Sequence, residues 1–401
     1  MTARINFIDT TLKPRLKSGV AFSLIRNPHH PSVIYVGNGV RGVTLSEQMF
    51  HTTEKSSIPA LSQIYDILSS LNGHTSLATI AERNSCSQEF VAEVISTLHN
   101  FQLIDFQYAT LKINNRFIDH FSTHHSPLEG HTDGAYQSLV ARIKPELEIT
   151  TWYEGSIDGG VEQVHQRTDF PVLIVGFGRI AMNTAAVLQA SGFQSIRVEA
   201  RTTDENADQL ITFRDISGGY IRPSDCGVGK RRLIEEMNAQ ISLFPIAKDY
   251  STNRSQPTTN QSFNPRLIIS IGLPTAEKLQ EWMSRDIPFL VVDEFINRTF
   301  SIGPLVNPGK SACLHCIHLT REDRDPLLNH MLELRRLLPQ REVPASLSSF
   351  IAGVISLDVI SFADLGESNF LNSQKIYSLD SLHSPQNFHW GLHPECRCHA
   401  V

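Results

Sequence analysis

The chain has 401 residues, 41% of them hydrophobic and 19% charged, a length that predicts two domains with connecting segments. Its net charge of −6 excludes the generally basic surface on which non-specific nucleic-acid binding relies. The first nine residues lack the basic flank and apolar core of a secretory signal. Apolar runs such as 171–175 and 267–271 fall well short of the ~20 residues a membrane helix requires, so no membrane partner is expected.

Alternating apolar residues predict short strands over 20–24, 33–36 and 41–45, with turns at 27–31 and at Gly37-Asn38-Gly39. Leu61, Ile64, Ile67, Leu68 and Leu71 form one helical stripe, stopped by Asn72-Gly73. A short helix follows over 76–82. A third helix opens at Ser85 with Gln88 at capping-box spacing and carries Phe90, Val91, Val94, Ile95 and Leu98. A closing strand over 103–106 completes a small winged-helix-like module, residues 1–110. Residues 111–168 read as an exposed connector with a possible helix over 135–143. Its histidines, His120, His124, His125 and His131, suit a solvated loop better than a metal site.

From residue 171 strands and helices alternate: strand 171–175, helix 179–190, strand 195–199, strand 267–271, helix 275–283 and strand 288–292. A further helix is expected over 346–364. This is the pattern of an open, mainly parallel sheet covered by helices, so the fold class is α/β, with this domain over 169–401. Gly176-Phe177-Gly178-Arg179-Ile180-Ala181 follows a strand and opens a helix. Its first two glycines suit a tight turn against a phosphate, and Glu199 ends the next strand where a ribose hydroxyl would lie. Alone, the motif fits a nucleotide site and a purely architectural turn equally well.

Of six cysteines, Cys86 and Cys226 stand alone, and Cys313/Cys316 and Cys396/Cys398 form close pairs. Four thiolates saturate tetrahedral zinc, which makes a structural Zn2+ site and a reducing, cytoplasmic location the expectation. The second pair has one intervening residue, so His393, His399 or His318 in place of a thiolate is left open. Four free thiols or a redox dithiol at Cys313/Cys316 are the alternatives.

The runs Ser301-Ile302-Gly303-Pro304-Leu305-Val306-Asn307-Pro308-Gly309-Lys310-Ser311-Ala312-Cys313-Leu314-His315-Cys316, Leu319-Thr320-Arg321-Glu322-Asp323-Arg324-Asp325-Pro326 and His393-Pro394-Glu395-Cys396-Arg397-Cys398 resemble the ThiF-like relatives of ubiquitin-activating enzymes. More narrowly, the chain is similar to the ThiF-like partners of YcaO cyclodehydratases, which make thiazole- and oxazole-modified peptides such as bacteriocins and thiopeptides. The resemblance implies a Rossmann-like, zinc-bearing ThiF-type domain behind an N-terminal peptide-clamp (RiPP recognition element) domain. It implies that the clamp binds the leader of a precursor peptide by strand addition, with Arg41, Val43 and Leu45 at the edge strand and Phe90, Val94 and Leu98 in the adjoining groove.

Gly176, Gly178, Glu199 and Lys230 would then be a degenerate nucleotide site, because strand 267–271 is followed by Gly272-Leu273-Pro274, without a magnesium-binding aspartate. On this reading the chain does not bind ATP and is not itself catalytic: it presents the leader to a YcaO cyclodehydratase for azoline formation. A dehydrogenase and a second copy of the chain are further candidate partners. The chief alternative is an ATP-dependent enzyme that adenylates a peptide carboxylate, with Asp293 or Glu294 supplying the missing acid. A nicotinamide oxidoreductase using Gly176, Gly178 and Glu199 leaves the cysteine motifs unexplained. A winged-helix DNA regulator is disfavoured because helix 88–98 carries Glu89 and Glu93 and no lysine or arginine.

Overall fold

The computed structural model describes residues 11–27, 30–50, 60–106, 131–200, 210–216, 221–241, 263–296, 298–327, 329–330, 334 and 343–398. They fall into two compact units, one up to Val164 and one from His165 onward.

In the first unit, β-branched and aromatic residues alternate into β2 (Ala21–Asn27), β3 (His30–Gly37) and β4 (Gly42–Leu45), an antiparallel sheet in the order β2-β3-β4. The β3–β4 turn is held by the Asn38 side chain, which accepts hydrogen bonds from the backbone N–H of Val40 and Arg41. Helices α1 (Leu61–Ser69), α2 (Leu77–Arg83) and α3 (Gln88–Asn100) follow. The cap of α3 is Ser87, which accepts from Phe90 N at 3.2 Å. Ser85, the expected cap, instead takes a left-handed φ of 51° in the turn before it. The closing strand β5 (Ile104–Asp105) pairs with β1 (Arg15–Leu16), a strand too short to show in the periodicity.

Part of the expected connector is folded onto this unit. Helix α4 (His131–Thr150) is longer than the 135–143 estimate, and α5 (Val161–Gln166) follows it. Buried Lys17 donates from Nζ to the carbonyls of Thr151 and Ser156 and lies 3.6 Å from Asp105, which also accepts from Thr151 Oγ1 at 3.1 Å. Burial lowers the Lys17 pKa and raises that of Asp105, each partly offset by the charge of the other. The histidines His120, His124 and His125 lie outside the described residues.

The second unit is built on a seven-stranded sheet in the order β12-β11-β10-β9-β8-β6-β7. Strands β6 (Val172–Val175), β7 (Ile196–Glu199), β8 (Leu267–Ile271) and β9 (Phe289–Ile296) are parallel. Strands β10 (Thr299–Val306), β11 (Ser373–Ser378) and β12 (Gln386–His389) extend it antiparallel. Full burial of β6 and β8 is why each reads as a continuous apolar run. One face is packed by α6 (Arg179–Ala190), α7 (Lys230–Ile241) and α10 (Ala345–Leu365), the other by α8 (Ala276–Ser284) and α9 (Leu314–Arg324).

Helix α10 is long and apolar enough to cross a membrane by length and composition, a property the short apolar runs did not show. Its inner face, with Leu347, Ile351, Ile355 and Val359, is buried in the core shared with α6.

Candidate functional site

Two groups of chemistry-bearing residues occur in the second unit, one at the carboxyl ends of the parallel strands and one at the start of α9. The sheet order places β7 and β8 on opposite sides of β6, so the chain changes direction beside β6. In open parallel sheets, ligands bind outside the carboxyl ends of the strands at such a switch point.

The glycine turn lies there. Gly176 has φ +127°, and a Cβ at this position would stand 3.0 Å from Ile271 Cβ of neighbouring β8. The position therefore demands glycine for both backbone conformation and space. Gly178 is the N-cap of α6 and offers no side chain to the orphan N–H groups of the first turn. The positive end of this 12-residue helix thus lies at the switch point without a side-chain cap. Glu199 closes β7, one strand over, and its carbonyl accepts from Gly176 N at 2.8 Å.

Lys230, a member of the expected degenerate nucleotide site, is spent on architecture. It is 5% exposed, paired with Asp215 at 2.6 Å, and donates to the Phe177 carbonyl at 3.1 Å. Asp215 also accepts from Thr212 N and Thr212 Oγ1. Arg179, the first residue of α6, donates to the carbonyls of Arg214 and Val343 at 2.6 and 3.0 Å. The segment 212–215 is thus fastened to the glycine turn from both sides, an arrangement no sequence spacing advertised. Strand β8 is followed by Gly272-Leu273-Pro274, with no acid among them, and Gly272 N donates to Val292 O at 2.7 Å. The next residue on β9 is Asp293, at the same end of the sheet. Cys226 is partly buried against the core, as a small apolar residue would be.

The four paired cysteines converge. Cys313 is the N-cap of α9 and accepts from Cys316 N, so the first pair sits on one helical turn. The tail brings up Cys396 and Cys398, and all four Sγ atoms lie within 4.8 Å of one another. Neighbouring sulfurs are 3.5 to 3.8 Å apart. A tetrahedron with metal–sulfur bonds of about 2.3 Å has edges of about 3.8 Å, so the donor set fits zinc. The four thiols are a cluster that could hold a metal ion, three of them on buried residues.

Histidine substitution is not needed. His393 donates from Nε2 to Asp323 at 2.9 Å and accepts at Nδ1 from Glu395 N, so both ring nitrogens are in use. His318 faces Glu322, and His399 lies outside the described residues. Burial raises the Cys313 thiol pKa and pushes Cys398 up to about 11. At Cys316 burial acts upward too, but hydrogen bonds from the backbone and neighbouring thiols outweigh it and lower the pKa. The site staples the tail to the core of the α8/α9 face, where Trp282, Phe289 and Trp390 pack.

In the first unit, Val43, Leu45, Phe90, Val94 and Leu98 are all buried in the core. Arg41 is exposed, bonded to Gln102 Oε1, with its guanidinium 6.0 Å from the Trp152 ring centroid.

No protein-family model matches the chain, and no curated protein sequence matches it. Solved structures do. The structure of microcin C7 biosynthetic enzyme MccB in complex with N-formylated MccA is 14% identical over 96% of this chain and 99% of that one, with a TM-score of 0.55. E. coli MccB with ATP is 13% identical over 97% and 99%, at 0.54. E. coli MccB with AMPCPP and selenomethionine MccA is 14% identical over 97% and 99%, at 0.53. The fold is ThiF-like, that of MccB. At this identity the likeness is one of fold.

It corrects one expectation. The missing acid after β8 predicts a non-catalytic presenter with a lost nucleotide site. The structures that match the chain end to end are instead of a biosynthetic enzyme, solved with ATP and with a peptide. A single strand end is too little to judge the site by, because the glycine turn at the switch point is intact.

Proposed function

We propose that the chain is an ATP-dependent activating enzyme that adenylates the carboxylate of a peptide. The observation that carries this reading is the glycine turn at the switch point, with Gly176 pressed against Ile271 and the N-terminus of α6 beside it without a side-chain cap. The whole-length likeness to MccB, solved with ATP, AMPCPP and MccA, supports it.

In the reaction a carboxylate oxygen attacks the α-phosphorus of ATP, the bond to the β-phosphate oxygen breaks, and pyrophosphate leaves with the electron pair. The backbone N–H groups after Gly178 receive phosphate oxygens, and Glu199 accepts from the ribose. Asp293, beside Gly272 at the end of β9, takes the place of the acid missing after β8. Magnesium, when bound, screens the triphosphate charge.

The first unit is read as a winged-helix-like peptide clamp. Among the described residues β4 pairs only with β3, leaving its outer edge for a peptide strand. Burial of Phe90, Val94 and Leu98 makes them the backing of that strand, and exposed Arg41 stands at its start. The four cysteines hold a structural Zn2+, and the setting is cytoplasmic.

The test is peptide-dependent exchange of labelled pyrophosphate into ATP. Exchange by the zinc-loaded protein, lost in Gly176→Val and reduced at least tenfold in Asp293→Asn, is the expected outcome. A folded wild-type protein that neither takes up Mg-ATP in calorimetry nor exchanges pyrophosphate with any peptide would sink the reading.

A further inference from the structure

We infer that Phe213 is a specificity contact for an apolar carboxyl-terminal side chain on the peptide whose carboxylate is activated; the inference rests on the function proposed above. Phe213 is 76% exposed, and nearby Leu210 is 55% exposed, although the residues around them are well held. Ile211 is buried in the α6/α7 core, and Asp215 is buried in its pair with Lys230. An exposed phenyl ring on a freely moving loop would need no explanation. Here the segment is tied to the nucleotide turn twice, by Lys230 bridging Asp215 and the Phe177 carbonyl and by Arg179 on the Arg214 carbonyl. The backbone at Arg214 and Asp215, directly after Phe213, is therefore held to the glycine turn through one side chain each, Arg179 and Lys230.

Its place decides what it meets. The triphosphate end of a nucleotide on this turn lies at the N-terminus of α6, and the ribose end lies toward Glu199 on β7. Arg179, which grips the Arg214 carbonyl next to Phe213, is the first residue of α6, so the backbone that carries the ring is tethered at the phosphate end. The ring is thus a wall for the acceptor and not a platform for the base. Arg214, exposed and adjacent, adds a cation that suits an approaching carboxylate. An apolar ring beside a cation describes a peptide terminus with an apolar last residue and a free carboxylate.

The discrimination expected of one apolar wall is about 10- to 200-fold between an apolar and a charged last residue. The experiment uses seven-residue peptides with a randomised last position, the full-length zinc-loaded protein, Mg-ATP and hydroxylamine. Hydroxylamine converts any acyl-adenylate to a hydroxamate with release of AMP, and mass spectrometry reads which last residues were trapped. Wild type is expected to trap Leu, Ile, Val, Met and Phe at least tenfold over Asp, Glu, Lys and Arg. Phe213→Ser, an exposed position, is expected to lose that preference while Mg-ATP affinity in calorimetry stays within twofold of wild type. Hydroxamates formed without preference by wild type, or with full preference by Phe213→Ser, would overturn the role of Phe213 alone. Pyrophosphate exchange and hydroxamate both missing from wild type would overturn adenylation, and Phe213 with it.

Discussion

Arg167→Ala should be among the most damaging single substitutions in the second unit. The Arg167 guanidinium meets Asp364 at the end of α10 with two bonds of 2.9 and 2.7 Å, and donates to the Ser191 carbonyl at 2.9 Å. The two side chains are 0% and 1% exposed. Removing the arginine leaves a buried carboxylate without its counter-charge and a carbonyl without that donor. Breaking a buried pair in this way costs about 3–5 kcal/mol. At roughly 2–4 °C per kcal/mol for a unit of this size, the melting temperature should fall by about 6–20 °C. Arg298 and Asp380 form a pair of similar length, 2.7 Å, but are 63% and 72% exposed, so Arg298→Ala should cost about 0–1 kcal/mol. Guanidinium unfolding of the three proteins compares the midpoints directly. The double variant Arg167→Met with Asp364→Leu, which removes both charges, should recover most of the loss. An Arg167→Ala protein no less stable than Arg298→Ala would refute the claim that burial governs the energetics of this pair.

One zinc ion per chain is expected by atomic emission, and Cys396→Ser should lose it; chelation should shift Trp390 emission to the red, because the tail that buries this indole is released. A protein purified without metal and indifferent to chelators would remove the staple. Asp358 is buried, accepting from Ser368 Oγ and Asn369 N, and burial raises its pKa despite these bonds and the charge of Lys375. The folded state therefore holds the proton to a higher pH than the unfolded state, so the penalty for the buried charge is present above the folded pKa. It is relieved as pH falls toward the unfolded value, about 3.9. Asp358→Asn should accordingly gain stability over wild type at pH 7, with the difference shrinking as pH is lowered. A difference that grows on acidification, in urea midpoints from pH 7 to 4, would contradict it.

Much of the architecture is legible before folding is considered. The run at 172–175 has to be a buried strand because every side chain is apolar and the next three residues make a glycine turn. The helix over 179–190 and the strand over 267–271 fall where periodicity puts them. The pairing of four cysteines across some eighty residues also follows from thiolate chemistry alone, since two close pairs make a saturated donor set. Local rules fail where several local answers are equivalent. Ser85 and Ser87 both offer a capping hydroxyl, and only the chain's path into α3 selects Ser87. The two-residue strand β1 has no periodicity at all and exists because β5 supplies its partner.

What the sequence determined by itself is therefore the set of elements with strong apolar periodicity and the chemistry of four thiols. The tertiary structure decided which polar groups become spent and which stay available. Lys230 reads as part of a degenerate nucleotide site in one dimension, yet Asp215, fifteen residues away, neutralises it, and Arg179 beside it is engaged by the Arg214 and Val343 carbonyls. The apolar residues of α3 read equally as groove or core, and in the folded unit, where α3 packs on α2 and β5, they are buried. Strand order, which no local pattern encodes, set β7 and β8 on either side of β6 and so placed the glycine turn at the switch point. The physical reason is common to all three. A hydrogen bond, a charge pair or an apolar contact acquires its value from what surrounds it once water is excluded, and those surroundings come from distant parts of the chain.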